Sequence, residues 1–569
     1  MRMIVPWIPL LLIPLSTGGP VGADGPPQPI VTALTSRPAD SAEAGSVADE
    51  ANSIVEPLPP NQFVNPIGEA ADPWVVRDPN HDRYLWCLSD GNRGISIHTS
   101  KRLTSLGQKH VVWRAPDTGR WSREIWAPEL HLLDGKWHIY FAASDGNNAN
   151  HLAYVLVSAD DDPLGEYTLH GPLETGDVAG EPIWAIDMTV LEHAGRRYAI
   201  WSGWDEPGSD RQFLYAAAMK SPTELSHSRV RICRNDDFPW EFTEDDGRGR
   251  GLHEGPQVFT TDDRTLVIFS CAASWLPTYK LGCLELTGPD PLDPDSWTKQ
   301  ERPVFSGTDR TYGVGHSCFV ASPDGTELWH VYHAKRDPTP GWRRSVFLQP
   351  LEIGPRGFPR FSRPVAPGQP LQRPSGEPPL PPADLPLSAS LAADCPLVAD
   401  LTPYGHHQFI EFKTDGLHLG RVPDQPVNDY RCGEKVMLDR LVPNDVSVEV
   451  TIRFPAGGSA RDAGMLFHTT GSGVGYDAQR GFFLGLIPRN KLMVFGRTDG
   501  TQWREVSRSA IDIDPRMPQR LRLEIRGENL AGYLNGQRTL TARAPGLHAG
   551  QLGFRVVDTH AVFSDLDVR

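Results

Sequence analysis

Cysteine is scarce in this chain. Seven residues in 569 (87, 233, 271, 283, 318, 395 and 432) are too few for a dense disulfide framework, and no pairs stand at zinc-ribbon spacing. An odd count leaves at least one thiol unpaired or bonded to another chain, and Cys271 and Cys283, close enough to meet across a hairpin, read as two buried thiols rather than a bridge. Basic charge is also short: 55 Lys and Arg face 71 Asp and Glu, a net charge of −16, which excludes the basic face of a nucleic-acid binder. The one long apolar run, Ile4 to Leu15, falls below the ~20 residues needed to cross a bilayer, so no membrane span is expected. Glycine and proline, by contrast, are plentiful. There are 54 and 53 of them, about one residue in five against ~12% in average proteins, so long helices cannot dominate.

Length alone suggests three to four domains at ~150 residues each. Residues 1–23 read as a signal peptide: Arg2 supplies charge, Ile4 to Leu15 the apolar stretch, and Val21-Gly22-Ala23 the small residues of a cleavage site. Secreted or periplasmic localisation follows. Residues 24–60, rich in Pro, Ala, Ser, Asp and Glu without apolar periodicity, are expected to form a disordered linker. A second proline-dense stretch at 366–394 reads as an extended connector, leaving folded blocks at 61–365 and 395–569.

Inside the first block one pattern recurs: a polar residue, a short apolar strand, a turn, and an aromatic-rich strand. The copies begin near Ala71, Ala127, Ile186, His253 and Gly315, with lead residues Asp72, Glu129, Asp187, Glu254 and His316 spaced by 57, 58, 67 and 62. Hairpin turns such as Asp134-Gly135, Ala194-Gly195 and Asp324-Gly325 close the copies. A third strand follows each hairpin and a fourth most of them, which predicts an all-β fold, a five-bladed β-propeller. Its first strands would line a channel and bring the lead residues to one mouth. Carboxylates gathered there repel one another, which raises at least one pKa and suits acid/base chemistry. The competing reading, polar plugs that satisfy the inner strands, weighs more for Glu129 and most for His316.

Residues 61–365 resemble glycoside hydrolase family 43, in its exo-acting α-L-arabinofuranosidase branch. The likeness rests on the Asp72 motif ADPW, the Asp187 motif WAIDMTVLEH and the Glu254 motif HEGPQV, together with WAPEL at 126–130, AASDGNNANH at 142–151, YKLGCLEL at 279–286, GHSCF at 315–319 and VYHA at 331–334. The resemblance implies a secreted glycosidase that removes terminal arabinofuranosyl residues from arabinan or arabinoxylan by inversion, with Asp72 as base, Asp187 as modulator and Glu254 as acid. A β-xylosidase, another propeller glycosidase, or a non-catalytic sugar-binding propeller are the alternatives. Trp126, Glu129, Trp184 and His316 are expected to line the substrate site. Met188 and Ser317 depart from the family pattern beside the pocket. No cofactor is required by this chemistry, though calcium near the channel centre or in the second domain is compatible with the resemblance. The expected partner is a plant-type polysaccharide or oligosaccharide, and the chain is expected to act as a monomer.

Residues 395–569 read as short alternating strands with an Asn535-Gly536 hairpin turn, a β-sandwich of jelly-roll type that resembles concanavalin- or laminin-G-like domains. An independent sugar-binding module and a scaffold packed on the propeller both remain open.

Overall fold

A computed structural model describes residues 56–569 except 227, 245–246, 422–432 and 458–460. The expected signal peptide, most of the first linker, and Cys432 lie outside these residues. The other six cysteines are free thiols, and all but Cys395 are buried, with no bridge between Cys271 and Cys283.

The first block is a five-bladed propeller of antiparallel sheets. Its innermost strands are Trp74–Arg77, Arg123–Leu133, Ala185–His193, His253–Thr260 and Tyr312–Ala321. Each pairs with a buried, aromatic-rich second strand (Tyr84–Ser89, Lys136–Ser144, Arg196–Trp204, Thr265–Cys271 and Leu328–Lys335), and a third strand follows in every blade. The order arises from sequence because the second strands are apolar on both faces, as strands buried between neighbouring blades must be. Between each pair of adjacent blades lies one apolar cluster. The cluster holding Val75, Tyr84 and Trp86 with Cys318, Trp329 and Val331 joins the fifth blade to the first and closes the ring. Tyr84 adds a hydroxyl bond to the Ala321 carbonyl at 2.9 Å across the same seam.

The second block is two sheets of eight and seven strands. Alternating residues such as Val446, Val448, Val450 and Ile452 from one sheet meet Met465, Phe467, Leu484 and Phe554 from the other in a single core. The Asn535-Gly536 turn has both residues at positive φ, 52° and 85°, as a tight two-residue hairpin requires.

The proline-rich stretch does not run free between the blocks. Pro370–Gln372 pairs with Gln62–Val64, Glu377 accepts from the Thr104 hydroxyl, and Leu387–Ala389 pairs with the last strand, His560–Val568. The tail of the first linker is also held: Leu58 is buried and its N–H donates to the Thr470 hydroxyl at 2.9 Å. Proline removes donors from a chain but leaves carbonyls and side chains to dock. The sandwich itself packs on the propeller, through the Arg102–Asp439 ion pair at 2.6 Å and the Val474 N–H bond to the Pro66 carbonyl at 3.0 Å.

Candidate active site

Four of the five innermost strands carry a two-residue irregularity at the same level, after Trp126, Ile186, Glu254 and Gly315, and each resumes pairing three residues on. The first residue of each irregularity takes positive φ: Ala127 (42°), Asp187 (55°), Gly255 (50°) and His316 (49°). Asp72, just before the first blade's strand, has φ 49° and completes the ring. Left-handed backbone costs a residue with a Cβ ~1–3 kcal/mol, and such strain concentrates where function requires it. Here it turns side chains into the channel mouth. Glycine is required at 255, because a Cβ there would come within 2.8 Å of the His316 ring.

The positions reached by these turns surround a cleft of about 1150 Å³. Asp72, Trp126, Trp184, Asp187, Glu254 and His316 all line it. Glu129 does not. It sits where pairing resumes, at the level of Thr189, Gln257 and Cys318, beneath the cleft, which corrects its expected place in the substrate site. There it is buried, accepts from the Gln257 amide, meets His131 Nε2 at 3.1 Å and is bonded by Thr189. Glu129 is thus the polar plug that satisfies inner strands.

His316 bridges the two aspartates. Its Nδ1 is 3.4 Å from Asp72 Oδ1 and its Nε2 is 3.3 Å from Asp187 Oδ2. Burial opposes charge on the ring, but the two carboxylates outweigh it and raise its pKa to about 9, so it is an imidazolium at neutral pH. Asp187 Oδ2 also accepts the Gly255 N–H at 2.9 Å. Burial alone would raise Asp72; Arg344 at 3.1 Å, His316, and His333 at 3.2 Å reverse this and hold it well below the usual carboxylate range. Burial drives His333 down to about 3, so that ring is neutral.

Glu254 has the opposite environment. Burial, then the charge of Asp187, pushes its pKa up to about 7, and Tyr279 donates its hydroxyl to Oε2 at 2.8 Å. Burial is the larger of the two causes. The cleft therefore holds one carboxyl group kept ionised and another that keeps its proton up to about pH 7.

Further residues shape the cleft or stand behind its wall. Arg344 and His333 come from the fifth blade, His151 stacks on Trp126 at 3.9 Å, and Trp204 stacks on Trp184 at 4.7 Å and 7°. His333 lies within VYHA and Tyr279 within YKLGCLEL, so both were in view without a function. Trp74 donates to the Leu130 carbonyl at 2.8 Å between blades. The sandwich reaches the cleft through His406 and Gln408.

The Glu129 level is closed by bonds among its own side chains, and among the described residues no group of three or more His, Cys, Asp or Glu is arranged to hold a metal.

A model of Glycosyl hydrolases family 43 matches residues 63–359. The chain belongs to that family. As a family 43 member it is a glycosidase, and its propeller spans the matched region. It is 32% identical over 286 residues to an extracellular exo-α-(1→5)-L-arabinofuranosidase of Streptomyces chartreusis, covering 49% of this chain and 84% of that protein. It is 29% identical to the extracellular exo-α-(1→5)-L-arabinofuranosidase of Streptomyces avermitilis, covering 56% and 67% respectively. Among solved structures, that of an α-L-arabinofuranosidase from Lactobacillus brevis matches at 30% identity and a TM-score of 0.49, over 53% of this chain and 97% of that one. Among the described residues no helix of this family 43 glycosidase is long and apolar enough to cross a membrane.

Proposed function

We propose that this glycosidase removes terminal α-L-arabinofuranosyl residues from arabinan- or arabinoxylan-type chains, with inversion. The observation that carries the reading is the split between two carboxyl groups in one cleft, Asp72 held ionised and Glu254 raised to about 7. Inverting hydrolysis needs that pair: a base to take a proton from water on one face of the sugar, and an acid to protonate the departing oxygen on the other. Asp72 is the base, and Arg344 and imidazolium His316 keep its charge. Glu254 is the acid, and its Tyr279 bond fixes the carboxyl's direction. Asp187 is a positioning residue that holds His316 and the Gly255 N–H. The separation for inversion is ~6.5–9.5 Å, wide enough for a water, against ~5–5.5 Å for a covalent route. An imidazole beside Asp72 that also faces Asp187 and Glu254 favours the longer one. Trp126, Trp184 and Trp204 offer the apolar walls of a sugar pocket.

Choice of sugar rests on the relatives named above, both arabinofuranosidases. Export from the cytoplasm is supported by the apolar Ile4–Leu15 stretch and by the extracellular location in those relatives' names. A panel of aryl glycosides, with the first-formed product followed by NMR, tests the reading. Turnover of the α-L-arabinofuranoside with the β-anomer appearing first is expected. Preference for a β-D-xyloside, initial α-product, or no turnover of any glycoside would overturn it.

A further inference from the structure

Trp342 is out of keeping with the rest of the surface. Six large apolar side chains are exposed among the described residues; Trp342 is the one aromatic among them and at 65% the most exposed. A mobile loop does not explain this. Its neighbour Gly341 donates its N–H to the Trp275 carbonyl at 2.7 Å and accepts from Lys335, while Arg344, two residues on, is fixed on Asp72. The ring lies 5.5 Å from that of Trp275, tilted by 53°, and the Arg250 guanidinium stands 5.7 Å over Trp275. Trp275, Trp342 and Arg250 all line the catalytic cleft.

Their place in the cleft gives the direction. Trp275 lies in the loop between Thr265–Cys271 and Lys280–Leu286 of the fourth blade. Tyr279, near the other end of that loop, donates to Glu254. The loop is therefore on the acid's side, where the departing oxygen must receive its proton. A rigid indole face there offers apolar contact to the C–H face of a ring, and a cation beside it offers donors to hydroxyls.

We infer that Trp342 and Trp275, with Arg250 at their edge, form the subsite for the sugar that carries the scissile oxygen, the residue left behind when the terminal arabinofuranose is cut. His406 and Gln408 of the sandwich face the same cleft, so the second domain borders the route of that chain. This inference rests on the arabinofuranosidase reading, and it concerns the leaving sugar only.

Two substrates separate the parts. One is α-L-arabinofuranosyl-(1→5)-L-arabinofuranose, which places a sugar on the shelf formed by Trp342 and Trp275; the other is α-L-arabinofuranosyl fluoride, whose leaving group has no ring. The quantity read is the ratio of their kcat/KM values, in which the fraction of active protein cancels. In the full chain, Trp342→Ala should lower that ratio about tenfold, and Trp342→Phe should restore it to within about threefold. A ratio unchanged in Trp342→Ala, whether both activities fall or neither does, overturns the shelf. Failure of the wild type to turn over the fluoride would instead overturn the arabinofuranosidase reading, and the shelf with it.

Discussion

Two levels of the same channel use similar residues for opposite ends. At the upper level Asp72, Asp187 and His316 sit at positive φ and point into an open cleft, with Glu254 one residue before Gly255. Two or three residues further along the same strands, Glu129, Thr189 and Gln257 sit in regular pairing and bond one another. Burial raises the pKa of Glu129 as it does that of Glu254. Desolvation therefore does not make an acid catalyst. What separates them is that Glu254 meets the cleft, whereas the acceptors of Glu129 are taken up by His131, Thr189 and Gln257.

Of the two levels, the upper one depends most on Asp72. Asp72→Asn should lower kcat/KM by about 10³–10⁴-fold on every substrate, since the base is needed whatever the leaving group. Steady-state kinetics measures this, and a loss below tenfold would remove Asp72 from the upper level's chemistry. Glu129→Ala sharpens the comparison from below. It should cost about 1–3 kcal/mol of stability, because the Gln257 amide and His131 lose their partner, while kcat/KM stays within about threefold. Urea unfolding and kinetics on the same preparation decide it. Lost activity at unchanged stability would move Glu129 back into the substrate site.

The two levels also show what a single sequence reveals. The fivefold repeat was legible because hairpin turns and aromatic second strands recur locally, and Asp72, Asp187 and His316 stood in register. In the second blade an acidic residue drew the register to Glu129, whereas the structural equivalent of Asp187 is Ala127. A two-residue irregularity leaves no periodic trace, so the slip was not visible. Arg344 and His333 were silent for another reason: they reach Asp72 from 272 and 261 residues away. The sandwich strands were readable from alternation and the Asn535-Gly536 turn. Its docking was not, because contacts such as Arg336 on the Val474 carbonyl join residues 138 apart without a local pattern.

Environment, not residue type, makes Glu254 the acid and Asp72 the base. The pH dependence of kcat/KM on an aryl α-L-arabinofuranoside with a good leaving group, in wild type and Glu254→Ala, tests it most directly. A carboxyl raised to about 7 gives up its proton as pH rises, so wild-type activity should fall on the alkaline side near pH 7. Asp72, held well below the usual range, should give no acid limb above about pH 4. In Glu254→Ala the alkaline limb should vanish, and far more activity should survive on the aryl glycoside than on an arabinose disaccharide. An alkaline limb that persists in the variant, or equal losses on both substrates, would contradict the account.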